Sequence, residues 1–166
     1  VGPLRGNVDT RLKKLESGVC EATVLAAAGL ARLGASPPNT TALPVETFVP
    51  AVGQGVLGIE AREDDARVRD ALAVLDDAPT RACALAERAF LARLGASCVT
   101  PVAAHAALER DTLTMCALVV SEDGTQLLIE RGTAEPAGAV ALGRRLADKL
   151  LDQGAAALVA LTPREG

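Results

Sequence analysis

Apolar positions recur along this chain in short runs that switch repeatedly between helical and strand-like spacing. After Arg5-Gly6, Asn7 predicts an N-cap for a helix over Val8–Glu16, with Val8, Leu12 and Leu15 on one face, Asp9 in the first turn and Gly18 as the stop. Thr23-Val24-Leu25 reads as a short buried strand, and residues 26–33 as a helix closing at Gly34. That order of helix, strand and helix is the grammar of an α/β layer. Residues 35–44, with Pro37-Pro38-Asn39 and Pro44, predict a loop. Residues 45–52 are β-prone, and Gly53-Gln54-Gly55-Val56-Leu57-Gly58-Ile59-Glu60 sets three glycines in a strand-like run, a pattern that favours a bulge, a close backbone approach or a ligand. A helix is predicted over residues 66–75, and Asp76-Asp77-Ala78-Pro79-Thr80 breaks it at the expected domain boundary.

The second half is patterned differently. Residues 81–94 form a helical run that offers Ala82, Leu85, Ala89 and Leu94 to a core and Glu87, Arg88 and Arg93 to solvent or a partner. Gly95-Ala96-Ser97 ends it and delivers Cys98 in a turn. Three β-prone runs follow, at residues 102–108, 112–120 and 126–129, and their short polar joints suit hairpins. A last helix over residues 136–153 stops at Gly154, ahead of a predicted strand over residues 156–161. The expected fold is therefore α/β plus α+β, the latter a small domain with a three-stranded antiparallel sheet and helices.

Composition narrows the function. The 166 residues are 49% hydrophobic and 23% charged, as in a folded globular protein. Lys+Arg 17 against Asp+Glu 21 leaves a net charge of −4, and two Phe with no Trp or Tyr give no stacking platform, so nucleic acid is not an expected partner. The longest apolar stretch, residues 22–31, is about half the roughly 20 residues a membrane span needs, so no membrane partner is expected. Cys20, Cys83, Cys98 and Cys116 form no C-x-x-C pair and His105 is the one histidine, so no metal site is expected and the thiols read as reduced and cytoplasmic. The opening Val1-Gly2-Pro3, without Met, is what a fragment would show.

Chemistry concentrates at two places. Arg5 precedes a helix N-terminus and Arg11 lies in its first turns, where two guanidiniums can hold carboxylates bidentately; Lys13 and Lys14 extend the positive charge, and Arg32 ends the next helix. Solvated surface charge is the plainer reading of that spacing. Val52-Gly53-Gln54-Gly55 lacks the Gly-Lys-Ser/Thr of a phosphate loop. Cys98, in its turn, is harder to explain by packing than the other three cysteines.

Four blocks, taken in order, carry a family resemblance. Arg5-Gly6-Asn7-Val8-Asp9-Thr10-Arg11-Leu12, Leu25-Ala26-Ala27-Ala28-Gly29-Leu30-Ala31-Arg32-Leu33-Gly34, Pro50-Ala51-Val52-Gly53-Gln54-Gly55-Val56-Leu57-Gly58-Ile59-Glu60, and Glu87-Arg88-Ala89-Phe90-Leu91 with Leu94-Gly95-Ala96-Ser97-Cys98 resemble the porphobilinogen deaminase (hydroxymethylbilane synthase) family across essentially the whole chain. The resemblance implies a transferase of porphyrin and haem biosynthesis that condenses four porphobilinogen molecules into hydroxymethylbilane with release of ammonia. It implies a dipyrromethane cofactor covalently attached through a thioether to Cys98, carboxylate pairing by Arg5, Arg11 and Arg32, and a supporting role at the cleft for Gln54 and Gly55. It further implies that residues 1–48 end a second α/β domain of periplasmic-binding-protein type, residues 49–75 return to the first, and residues 76–166 form the cofactor-bearing third domain. The catalytic aspartate is expected in a missing N-terminal half of the same enzyme, so this chain alone is expected to be inactive. The alternative from another class is a non-catalytic anion-binding or regulatory module derived from that fold, for which a thiol at Cys98 is not needed.

Overall fold

The computed structural model describes residues 2–96 and 100–160. It divides into two compact units, Val1–Leu43 and Pro44–Gly166.

In the first unit, α1 (Val8–Glu16) and α2 (Ala27–Arg32) are the regular elements. The helix predicted over α1 forms where the local signals set it, because the Asn7 side chain accepts the Thr10 N–H at 2.9 Å. Gly29 of α2 approaches Val8 of α1 closely enough that an added Cβ would lie 3.5 Å from a Val8 methyl. The strand predicted at Thr23-Val24-Leu25 does not form. A strand needs a neighbour to receive its backbone hydrogen bonds, and among the described residues the one sheet is built wholly from the second unit.

In the second unit, residues 45–60 also form no strand; turns occupy Pro44 to Phe48 and Ala51 to Val56. Helix α3 (Ala66–Leu72) continues as a short 3-10 turn, Ala73–Leu75, covering the predicted helix. Helix α4 (Ala78–Leu94) begins ahead of the predicted start, since the Asp77 carboxylate caps Thr80 N–H at 2.9 Å and Pro79 sits in the first turn, where its missing N–H costs nothing. Strands β1 (Val102–Glu109), β2 (Thr112–Val120) and β3 (Leu127–Ala134) form an antiparallel sheet in that order, as the alternation predicts, with β3 longer than expected because Leu113 of β2 still pairs with Ala134. After a 3-10 turn at Pro136–Gly138 comes α5 (Ala139–Asp152), and then α6 (Ala155–Ala160) in place of the predicted final strand. The alanine-rich run Ala155-Ala156-Ala157 favours helix, and α6 buries Ala155 and Leu158. Leu161, the last residue of that predicted strand, lies outside the described residues.

The core lies between one face of the sheet and the pair α4/α5. Ala82, Ala86, Phe90 and Leu94 of α4 meet Leu142, Leu146 and Leu150 of α5 over Ala104, Ala106, Leu113, Met115, Ala117 and Val119. Space is made where backbones must approach: a Cβ on Gly143 would come 2.0 Å from the Ala86 carbonyl oxygen, and one on Gly132 would meet Leu142 at 3.0 Å. Leu85, predicted for the core, is 45% exposed, because the buried arc of α4 runs through Ala82, Ala86 and Phe90 instead. No described helix is long and apolar enough to cross a membrane.

Candidate functional site

The Arg5-Gly6-Asn7 corner is held from several directions. Gly6 adopts φ of 125°, and a Cβ there would come 2.7 Å from the Thr10 methyl, so only glycine fits. Asn7 Oδ1 accepts from both the Thr10 N–H and the Thr10 hydroxyl, at 2.9 and 2.8 Å. From α1, the Arg11 Nε donates to the Gly6 carbonyl at 2.9 Å, and the Lys14 ammonium donates to the Arg5 carbonyl at 2.9 Å. Arg5 and Arg11 thus flank one fixed turn. The Arg11 guanidinium is anchored through Nε, while its two terminal nitrogens make no hydrogen bond or ion pair among the described residues. Among the described residues the Arg5 and Arg32 guanidiniums have no hydrogen-bond or ion-pair partner. A cation donating only to a carbonyl keeps its full charge for an anion, and a planar guanidinium suits a carboxylate.

The glycine-rich segment of the second unit is a pair of overlapping turns. Gln54 N–H bonds to the Ala51 carbonyl at 3.0 Å and Val56 N–H to the Gly53 carbonyl at 3.2 Å, with Gly53 and Gly55 at φ of 73° and 85°. Such left-handed positions interrupt a regular strand, in keeping with the three glycines in this run, which favour a bulge, a close backbone approach or a ligand over a regular sheet. Gln54 and Gly55 are exposed at the tip of this loop.

What holds the loop is Glu87, which the helical pattern offers to solvent or a partner rather than to the core. Glu87 of α4 is 5% exposed, and its carboxylate accepts the Gly53 N–H at 2.7 Å and the Ala106 N–H at 2.8 Å. Burying a carboxylate is costly unless it is hydrogen-bonded, and these two charge-assisted bonds are worth about 1.5–3 kcal/mol each. The signal was present in the helical spacing: Glu87 shares its stripe with Cys83, Phe90 and Leu94. Burial, and then the Glu87 carboxylate, push the Cys83 thiol above its ordinary range, which keeps it protonated and unreactive at neutral pH.

Cys98, the expected attachment point, lies outside the described residues; the chain enters it from the C-terminal end of α4, which Gly95 closes in the left-handed conformation. Cys20, Cys83 and Cys116 are free thiols. His105 faces away from the core, and lines a shallow groove with Cys116 and Arg131, its neighbours across the sheet. Among the described residues no group of three His, Cys, Asp or Glu side chains could hold a metal ion.

The structure therefore presents an α+β protein with a fixed arginine corner and a glycine loop seated on a buried carboxylate. Comparison with known proteins supplies the family. A family model described as porphobilinogen deaminase, dipyromethane cofactor binding domain, matches residues 1–70, and one described as porphobilinogen deaminase, C-terminal domain, matches residues 81–152. The chain belongs to the porphobilinogen deaminase family. It is 51% identical over 159 residues to a porphobilinogen deaminase of Roseiflexus sp. (strain RS-1), covering 95% of this chain and 52% of that protein. It is 46% identical over 163 residues to the porphobilinogen deaminase of Thiobacillus denitrificans, covering 98% and 53%. The chain spans about half the length of the curated relatives it matches. Arg5, Arg11, Arg32, Gln54 and Gly55 all fall in the stretch matched by the cofactor-binding model, whereas Cys98 falls in the C-terminal match.

Proposed function

We propose that this chain is the carboxylate-holding and cofactor-bearing part of a hydroxymethylbilane synthase, which joins four porphobilinogen molecules head to tail, loses ammonia at each coupling and releases hydroxymethylbilane. The observation that carries this reading is the arginine corner: Arg5 and Arg11 fixed about Gly6, without a carboxylate partner among the described residues, in the stretch matched by a cofactor-binding family model. Each pyrrole carries two carboxylates, so repeated guanidinium clamps are what positioning of cofactor and substrate demands. In this reading Arg5, Arg11 and Arg32 pair with those carboxylates, Gln54 and Gly55 line the cleft, and the Cys98 sulfur holds the dipyrromethane by a thioether. The cofactor, when bound, primes the growing chain and stays on the protein.

The domain assignment belongs to the same proposal. Residues 1–48 close a second α/β domain of periplasmic-binding-protein type, residues 49–75 return to the first, and residues 76–166 are the third. Exposure supports the assignment, since no described residue before Ala82 is buried, while Val24, Leu33, Phe48, Leu57, Ile59 and Val74 are all more than half exposed. Apolar surface left in water costs roughly 25 cal/mol per Å², so this part is completed by further polypeptide. That partner is the N-terminal half of the same enzyme, working in the cytoplasm and supplying the aspartate that stabilises the cationic pyrrole.

The test is an assay of porphobilinogen consumption by the chain alone and by the chain combined with the other half of the family's length. No turnover is expected alone. With both halves turnover is expected, and Arg5→Ala and Arg11→Ala should each raise KM at least tenfold. Robust turnover by the chain alone contradicts the two-part requirement; silence of the recombined halves contradicts the assigned activity.

A further inference from the structure

Glu87 has no role in the reading above, yet it is the one buried carboxylate among the core residues described. It sits in α4, and its two oxygens are used on two different pieces of chain. Oε2 accepts from Gly53, the residue immediately before Gln54-Gly55, and Oε1 accepts from Ala106 in β1. The same loop is tied once more to β1, where Ala104 N–H donates to the Pro50 carbonyl at 3.2 Å. Gly53 itself stands at φ of 73°, so the turn following it is set by a backbone conformation that side chains resist and by a hydrogen bond to a charged acceptor.

We infer that Glu87 is a positioning residue: by gripping the Gly53 N–H from within α4 and the Ala106 N–H in β1, it fixes the Gln54-Gly55 loop against α4 and the sheet, so that the loop meets a bound ligand in one set geometry. The inference rests on the proposed function for what the loop does. The hold itself stands on geometry alone. A neutral glutamine cannot replace the grip, because an amide has one acceptor oxygen and presents its NH2 as a donor to the second N–H. One of the two backbone donors is then left unpaired in a buried place.

The experiment uses Glu87→Gln, with Glu87→Ala as the severer variant, and two readouts. The first is amide hydrogen exchange on the chain as purified. Exchange at Gly53 and Ala106 should quicken at least tenfold in Glu87→Gln, with the α5 amides around Leu142 and Leu146 unchanged. The second is steady-state kinetics with porphobilinogen in the recombined halves, where KM should rise at least tenfold and kcat should change less than threefold. Unchanged exchange at Gly53, or an unchanged KM in an active preparation, overturns the positioning role. Faster exchange spread equally over α5 also overturns it, since Glu87 would then be a core tie and nothing more. A wild-type preparation without turnover instead fails the proposed function, and the exchange at Gly53 still decides whether Glu87 holds the loop.

Discussion

Gly143 shows how one atom decides the sign of a substitution. Within a helix, glycine is worse than alanine by about 0.5–1 kcal/mol, so propensity alone makes Gly143→Ala stabilising. The position says otherwise, because the new Cβ would stand 2.0 Å from the Ala86 carbonyl oxygen and 2.9 Å from the Phe90 nitrogen. Both neighbours are backbone of α4, so the helices must separate, and overpacking of this kind costs about 1–3 kcal/mol or more. Gly143→Ala should therefore lower the urea midpoint of the second unit; a midpoint equal to or above that of the unaltered chain would show that α4 and α5 do not approach this closely. At this scale the sequence revealed chemistry better than burial. The capped corner at Gly6-Asn7 with Arg5 and Arg11 on either side was legible, because the capping signal and the arginines lie within one local stretch. The burial of Glu87 was not, because a carboxylate reads as solvent-facing until the N–H groups of Gly53 and Ala106, distant in sequence, are brought to it.

Elements divide by whether their stabilising partners are local. Helix α1 follows from Asn7 and its own spacing, and the hairpin pairing of β1 with β2 follows from two alternating runs across a short joint. The runs at residues 23–25, 45–52 and 156–161 have the residue types of strands, but a strand exists only with a neighbour, and propensity carries no information about one. The β2–β3 connection provides a test at this scale. Asp123 accepts from the Ser121 hydroxyl at 2.6 Å, the Thr125 N–H at 3.0 Å and the Thr125 hydroxyl at 2.8 Å. Those donors, the Ser121 hydroxyl first, hold the Asp123 carboxyl down from 3.8 to about 2. A carboxyl depressed by folding stabilises the native state fully above its unfolded pKa, and that contribution is lost as pH falls from about 4 through about 2. The side-chain carboxyl carbon of Asp123 should titrate in NMR with a midpoint near 2. A midpoint at the ordinary aspartate value would mean that the turn does not close on this carboxylate.

For the molecule as a whole, the division of labour follows burial. The second half carries its own core from Ala82 onward, and its small α+β organisation was readable from the sequence because helix, hairpins and helix follow one another. The first 81 residues contribute no buried side chain among those described, and their predicted layer lacks its sheet. What a segment packs against is not written in the segment. The central claim is that these residues serve a tetrapyrrole-building enzyme whose cofactor is anchored at one thiol, and the intact mass of the chain purified from cells that also make the other half tests it most directly. Peptide mapping should find the added mass of one dipyrromethane on Cys98 and none on Cys20, Cys83 or Cys116. An unmodified Cys98 in a preparation that consumes porphobilinogen, or the adduct on another cysteine, would contradict the account.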